Sequence, residues 1–321
     1  MQQRSLTGIK PTGSPHLGNL LGMYDQAIAM QDTHDCYYFI ASYHALTSVR
    51  DAALLREMNM EVAACWLALG LDPAQSTLWL QHDVPEVTEL AWVLGCIAHK
   101  GMLDKAHAFK DAVAKGRDVN IGLYTYPVLM AADILAFDSH LVPVGRDQKQ
   151  HVEMTRDMAQ RFNHLFGETL VVPEALIRDE VATIPGLDGQ KMSKSYGNTI
   201  EIFLPAKKLR KKVMSIVTDS RGVDDPKDPD TCNVFQLYKL FSTKEQQADL
   251  AERYRAGGLG YGHAKQELYE LIEIRLAEPR ERYNELLSKP EELRFILDNG
   301  AIKARQKARC TLEKVRCAVG L

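Results

Sequence analysis

Two lysines and two serines fill Lys191-Met192-Ser193-Lys194-Ser195, a run preceded by Gly186 and Gly189 and closed by Gly197. A glycine-flanked loop that carries cations suits phosphates whose charge grows during a reaction. It lacks the G-x-x-x-x-G-K-[ST] spacing of a Walker loop. A second stretch, Gly8-Ile9-Lys10-Pro11-Thr12-Gly13-Ser14-Pro15-His16-Leu17-Gly18-Asn19, has the glycines and prolines of a sharp turn. Leu20, Tyr24, Ala27 and Ile28 follow at helical spacing, so the turn empties onto a helix N-terminus. Free N–H groups and the helix dipole favour an anion there, with His16 and Asn19 as additional donors. An ordinary connection capped by Asn19 is the other reading. In a third stretch, Tyr126, Met130 and Asp133 fall at i, i+4 and i+7, which puts a carboxylate into an apolar helix stripe. Such a carboxylate needs a donor, from the protein or from a ligand N–H.

The elements that must position these residues alternate between strand and helix. Arg4–Ile9, Tyr37–Ala41, Thr77–Leu80 and Leu141–Val144 read as strands. Between them lie helical patterns over Asn19–Met30, Ala52–Leu69 with Asp51 as cap, Pro85–Ile97 and Thr125–Leu135, the last with Pro127 in its first turn. The βαβ order favours a parallel sheet with right-handed crossovers. Ser42–Thr47 and Gly145–His151 then lie at carboxyl ends of strands, where ligands gather in open α/β sheets. A helix is expected over Val152–Phe162, and a mobile loop or short helix over 100–120. Val171–Ile184 reads as a connection; from Pro205 onward only helical patterns remain.

Bulk properties narrow the class. The chain has 321 residues, 45% hydrophobic and 25% charged, with formal net charge -3, which fits one or two globular domains. No apolar run follows the first residues and none is long enough to span a bilayer, so a cytoplasmic protein is expected. The six cysteines form no C-x-x-C pair, and neither disulfides nor a zinc site is expected. Lys207–Lys212 and the run Lys303, Arg305, Lys307, Arg309, Lys314, Arg316 are basic clusters, read as solvated helix faces or as contacts to nucleic acid.

Pro15-His16-Leu17-Gly18-Asn19 resembles the HIGH-type signature of class I aminoacyl-tRNA synthetases, and Lys191–Ser195 matches their KMSKS signature. Nearly the whole chain resembles the bacterial tryptophanyl branch, most diagnostically in Val142-Pro143-Val144-Gly145-Arg146-Asp147-Gln148-Lys149-Gln150-His151. The resemblance implies an α/β fold with a Rossmann-like parallel sheet and helices on both faces, plus a C-terminal all-α domain. It implies a catalytic domain at 1–200, a helical domain on the tRNA anticodon side at 201–290, and closing helices at 291–321 that return to the first domain. It also implies a homodimer that uses ATP, magnesium, L-tryptophan and tRNA(Trp).

Carried over by position, the resemblance makes His16, Asn19, Lys191 and Lys194 the catalytic group. Lys10, Thr12, Gly18, Asn19, Gly145, Asp147, Lys191, Met192, Ser193 and Lys194 would bind ATP, with Lys110 as a further phosphate lysine. Leu6, His44, Tyr126, Met130, Asp133, Val142, Val144 and Gln148 would form the tryptophan pocket, Asp133 accepting the indole N–H. Lys10 stands where the branch usually has glutamine, Leu6 where an aromatic is frequent, and Ser42-Tyr43-His44 where Asp-Gln-His is usual. The implied reaction is tryptophan activation and transfer to tRNA; a tyrosyl enzyme and a non-catalytic relative that binds tRNA or tryptophan are the alternatives.

Overall fold

The structure, a computed structural model, describes residues 2–11, 13–116, 118–145, 148–177 and 184–321. In chain order, β1 (Arg4–Ile9) leads to α1 (Leu17–Asn19), a π-helical turn (Leu20–Tyr24) and α2 (Asp25–Ala29). Next come β2 (Asp35–Ile40), α3 (Ser42–Ala45), α4 (Ala52–Ala68), β3 (Thr77–Leu80), α5 (Glu86–Ile97), α6 (Lys100–Leu103) and α7 (His107–Ala114). Then α8 (Ile121–Leu135), β4 (Leu141–Pro143), α9 (Lys149–Phe166) and β5 (Glu174–Leu176) complete the sheet region. The remainder is helical: α10 (Ala206–Met214), α11 (Asn233–Tyr238), α12 (Lys244–Ala256), α13 (Tyr261–Ser288) and α14 (Pro290–Val319).

Two compact units result. The first gathers Met1–Gly13, Ala27–Arg178 and Leu286–Leu321; the second gathers Ser14–Gln26 and Asp179–Glu285. In the first, five parallel strands run in the order β3-β2-β1-β4-β5. All four residues of β3 and five of six in β2 are buried, as in a sheet covered on both faces. Tyr37, Phe39, Trp79 and Phe137 form its aromatic centre, with ring centroids 4.9–5.9 Å apart. The strand order reverses between β1 and β4, the topological switch point outside which ligands bind in such sheets.

The structure departs from the expected elements at several points. β5, only three residues long on an edge, replaces the expected plain connection. α8 begins at Ile121 because Asn120 caps it, its side chain accepting from the Leu123 N–H. Pro127 therefore lies inside the helix. α9 begins at Lys149, so His151 is helical. Residues 100–120 hold the two short helices α6 and α7.

The expected closing helices are one helix, α14, packed along the edge strand β3. At their contact a Cβ on Gly300 would stand 1.8 Å from the Leu78 carbonyl oxygen, so helix and strand backbones meet with no room for a side chain. Overpacking of this kind costs about 1–3 kcal/mol or more. Gly300→Ala is expected to lower the urea midpoint correspondingly; an unchanged midpoint would show that the contact yields.

In the second unit α10–α13 bury Leu209, Val213, Leu237, Leu250, Tyr254, Leu268 and Ile272. Leu17 N–H donates to the Ile200 carbonyl and Ile202 N–H to the Pro15 carbonyl, with His16 bridged to Glu201. The His16-containing turn is thus stitched to the segment that follows the lysine loop.

Candidate active site

In the first unit the carboxyl ends of the strands deliver one set of polar groups. Asp133 on α8 is 2% exposed. Its Oδ2 accepts from His44 Nε2 at 2.8 Å, and both carboxylate oxygens accept from Gln81 Nε2 at 2.8 Å. Gln81, directly after β3, is oriented by accepting the Tyr43 N–H at 2.9 Å. Protein donors therefore stabilise this buried carboxylate, and Oδ1 retains capacity for another N–H. Burial pushes the Asp133 carboxyl up, and the hydrogen bonds from His44 and Gln81 oppose that push. The Tyr126 ring meets His44 edge-on at 6.1 Å, and its hydroxyl is hydrogen-bonded to His151 Nε2 on α9. Leu6 and Val142 belong to the adjoining apolar core, with Met130 and Val144 packed against it. Of the expected pocket residues, His44, Tyr126 and Asp133 are brought together by these contacts, while Leu6, Val142, Met130 and Val144 share the apolar core of the first unit.

Gln81 and His151 escaped assignment from sequence. The available signal for Gln81 was its place at the end of a buried strand; for His151, its place in the diagnostic Val142–His151 run. Gln148 donates its N–H to the Gly145 carbonyl at 3.0 Å. Lys10 donates to the hydroxyls of Thr47 and Ser48 at 3.0 Å, and burial lowers its pKa. Lys110 is an exposed residue of α7. Thr12 and Asp147 lie outside the described residues.

The second unit carries the other set. Asn19 Oδ1 accepts the His16 N–H at 3.1 Å, fixing the start of α1. A Cβ on Gly18 would stand 2.9 Å from the His16 ring and 3.7 Å from Met192 Cβ, so the glycine permits the turn to close on the lysine loop. Met192 is buried, while Lys191 and Lys194 are exposed. His16 is 8% exposed, and its Nδ1 makes no hydrogen bond among the described residues. Burial first, and the Lys194 charge second, lower the His16 pKa to about 4, against the opposing pull of Glu201. The ring is therefore neutral at pH 7.

Because folding favours the neutral ring, the stability from His16 is complete above its ordinary value near 6.5 and falls as pH drops toward 4. An NMR titration is expected to place the His16 midpoint near 4, and Lys194→Ala is expected to raise it. A midpoint at 6.5 would contradict the burial argument.

Five of the six C-terminal cations, all but the exposed Lys303, have partners within the first unit. Arg305 and Arg309 pair with Glu86, Arg316 with Glu89, and Lys307 and Lys314 with Asp138. They hold α14 to the first unit and are not a plain solvated face. On α10, Lys207, Lys208, Arg210 and Lys211 are exposed. Among the described residues no three His, Cys, Asp or Glu side chains group closely enough to hold a metal ion.

A parallel switch-point sheet, a glycine-rich turn onto a helix and a lysine loop stitched to that turn define a class. Residues 2–277 match the family of class I tRNA synthetases (W and Y), and the chain belongs to it. Within that class it is similar to proteins named Tryptophan--tRNA ligase. That of Campylobacter jejuni is 49% identical over 318 residues, covering 99% of this chain and 100% of the relative. That of Pseudomonas aeruginosa is 50% identical over 334 aligned positions, covering 100% of this chain and 74% of the relative. The fold is similar to the crystal structure of the Campylobacter jejuni tryptophanyl-tRNA synthetase complexed with ADP and tryptophane, with TM-score 0.96, 49% identity, and coverage of 99% and 100%.

Proposed function

We propose that this ligase activates L-tryptophan with ATP and transfers the aminoacyl group to tRNA(Trp). The observation that carries the reading is a buried Asp133 carboxylate, fixed by His44 and Gln81, with acceptor capacity left for an indole N–H. A tryptophan carboxylate oxygen attacks the α-phosphorus of ATP, the bond to the bridging oxygen breaks, and pyrophosphate leaves. A terminal ribose hydroxyl of tRNA then attacks the adenylate carbonyl and AMP leaves. No side-chain nucleophile is needed.

In this reading Tyr126, Met130, Val142, Val144 and Leu6 enclose the ring, while His44 and Gln148 orient the substrate. His16 and Asn19 at the turn and Lys191 and Lys194 in the loop steady phosphate charge, with Gly18 and Met192 giving close access and Ser193 lining the loop. Lys10, Thr12, Gly145 and Asp147 are assigned to ATP on the resemblance. Magnesium is part of the same proposal, carried by ATP as the counterion of its phosphates.

Residues 1–200 are assigned to catalysis and 201–290 to the anticodon side of tRNA, where the exposed cations of α10 support contact with phosphates. No described helix is long and apolar enough to cross a membrane; placement in the cytoplasm is part of the proposal. So is a homodimer, which the 76% exposure of Trp92 on α5 supports. Trp92→Glu is expected to shift sedimentation toward the monomer, and an unchanged dimer would place the contact elsewhere.

The deciding experiment is pyrophosphate–ATP exchange with each amino acid in turn. Exchange with tryptophan alone supports the reading. Exchange with tyrosine moves the chain to the sister activity, and tryptophan binding without exchange makes it non-catalytic.

A further inference from the structure

We infer that Asn198 is a positioning residue for the activation step: its single buried carboxamide sets the backbone from which Lys191 and Lys194 act. The inference rests on the activity proposed above. Asn198 is 3% exposed, whereas the lysines it would serve are exposed. Its Oδ1 accepts the Ser193 N–H at 2.8 Å, and its Nδ2 donates to the Lys191 carbonyl at 3.1 Å and to Asp188 Oδ1 at 2.8 Å. Its own carbonyl accepts the Leu187 N–H at 2.9 Å. The entry, middle and exit of the loop are therefore tied to one residue. A Cβ on Gly186 would stand 2.4 Å from the Asn198 carboxamide, so the backbone entering the loop presses directly on it.

The chemistry requires a carboxamide. Two donated bonds and one accepted bond from a single buried planar group are beyond aspartate, which has no donor when ionised, and beyond leucine, which has neither. Long exposed lysines can hold a departing pyrophosphate only if their Cα atoms are already in place. A misplacement of about 1 Å costs on the order of 100-fold in rate. The hydrogen bonds to Lys191 C=O and Ser193 N–H bracket Met192, and the loop then passes Lys194 into a turn closed by Gly197 at φ 66. Asn198 thus touches the backbone on the amino side of Lys194 and follows the closing turn on its carboxyl side.

The test is tryptophan-dependent pyrophosphate exchange by the full-length chain and by Asn198→Ala, Lys194→Ala and their combination. Asn198→Ala is expected to lower kcat about 10- to 100-fold with KM for tryptophan held within about twofold, because uniform binding is untouched. In the Lys194→Ala background the second substitution is expected to cost less than it does in the unsubstituted chain, since one of the two lysines through which Asn198 acts is gone. Losses that multiply in the double variant, or a parallel rise in KM for tryptophan, would assign Asn198 to general stability and overturn the inference. So would an unchanged kcat.

Asp188→Ala removes one of the three carboxamide bonds at an exposed position and is the companion variant should Asn198→Ala fold poorly. It is expected to lower kcat in the same direction but less, and no effect on kcat would also count against the inference. Combining Asn198→Asp with Asp188→Asn restores the bond between those positions with reversed polarity. The pair is expected to recover part of the activity lost by Asn198→Asp alone, and failure to recover any would exclude the clasp. If the unsubstituted chain shows no exchange with tryptophan, the proposed function fails first, an outcome distinct from any of these.

Discussion

Asp133→Ala is expected to lower kcat/KM for tryptophan by about 10²–10³. The substitution removes the acceptor for the indole N–H and also strands His44 Nε2 and Gln81 Nε2, two donors that now end on one buried carboxylate. Each unsatisfied buried donor costs about 1–3 kcal/mol, and 1.4 kcal/mol is about tenfold. Discrimination against phenylalanine, about 10⁴–10⁵ for a pocket built around a hydrogen-bonded group, is expected to fall with it. Asp133→Asn should be milder, because its carbonyl oxygen still accepts from the Gln81 side chain. Burial raises the carboxyl of Asp133, so the ionised acceptor is lost on acidification at a pH above the usual carboxylate range. KM for tryptophan is expected to rise as pH falls through that range. Exchange kinetics for tryptophan and phenylalanine across pH check both points; an Asp133→Ala enzyme with normal KM would remove the carboxylate from the pocket.

Lys194→Ala is expected to lower the rate of tryptophan activation by about 10²–10³, the effect of deleting one donor aimed at charge that develops in the transition state. The loss should appear in kcat with KM for tryptophan unchanged. Lys194 is exposed, so stability should stay within about 0.5 kcal/mol. Transfer from preformed tryptophanyl-adenylate to tRNA should keep its rate, since pyrophosphate has already departed. Single-turnover measurements of the two half-reactions separate the possibilities, and equal losses in both would show that the lysine supports the loop's structure and not the leaving group.

The sheet was legible because its strands are short, buried and bounded by turn residues. Thr77-Leu78-Trp79-Leu80 is a strand both in pattern and in structure. β5 was not, since Glu174-Ala175-Leu176 has no alternation and gains its partner only through β4. Pro127 reads as a first-turn proline until Asn120 is seen to cap the helix a turn and a half earlier. In the site, Asp133 stood out as a carboxylate in an apolar stripe. Gln81 did not, because its role comes from the adjacency of β3 and α8 side chains, which no periodicity encodes. The C-terminal cations show the same limit: a run of lysines and arginines looks solvated until Glu86, Glu89 and Asp138 are found opposite it.

The covering of β3 by α14 also bears on how the chain is made. The sheet unit draws on three separated stretches, and the helix that presses Gly300 onto Leu78 is translated long after β3 has left the ribosome. During synthesis this edge strand is therefore bare, with apolar Leu78, Trp79 and Leu80 available to any neighbouring nascent chain. Completion of the unit waits for α14. Ribosome-stalled chains that stop before α14 should remain protease-sensitive across the sheet and become resistant only once that helix has emerged.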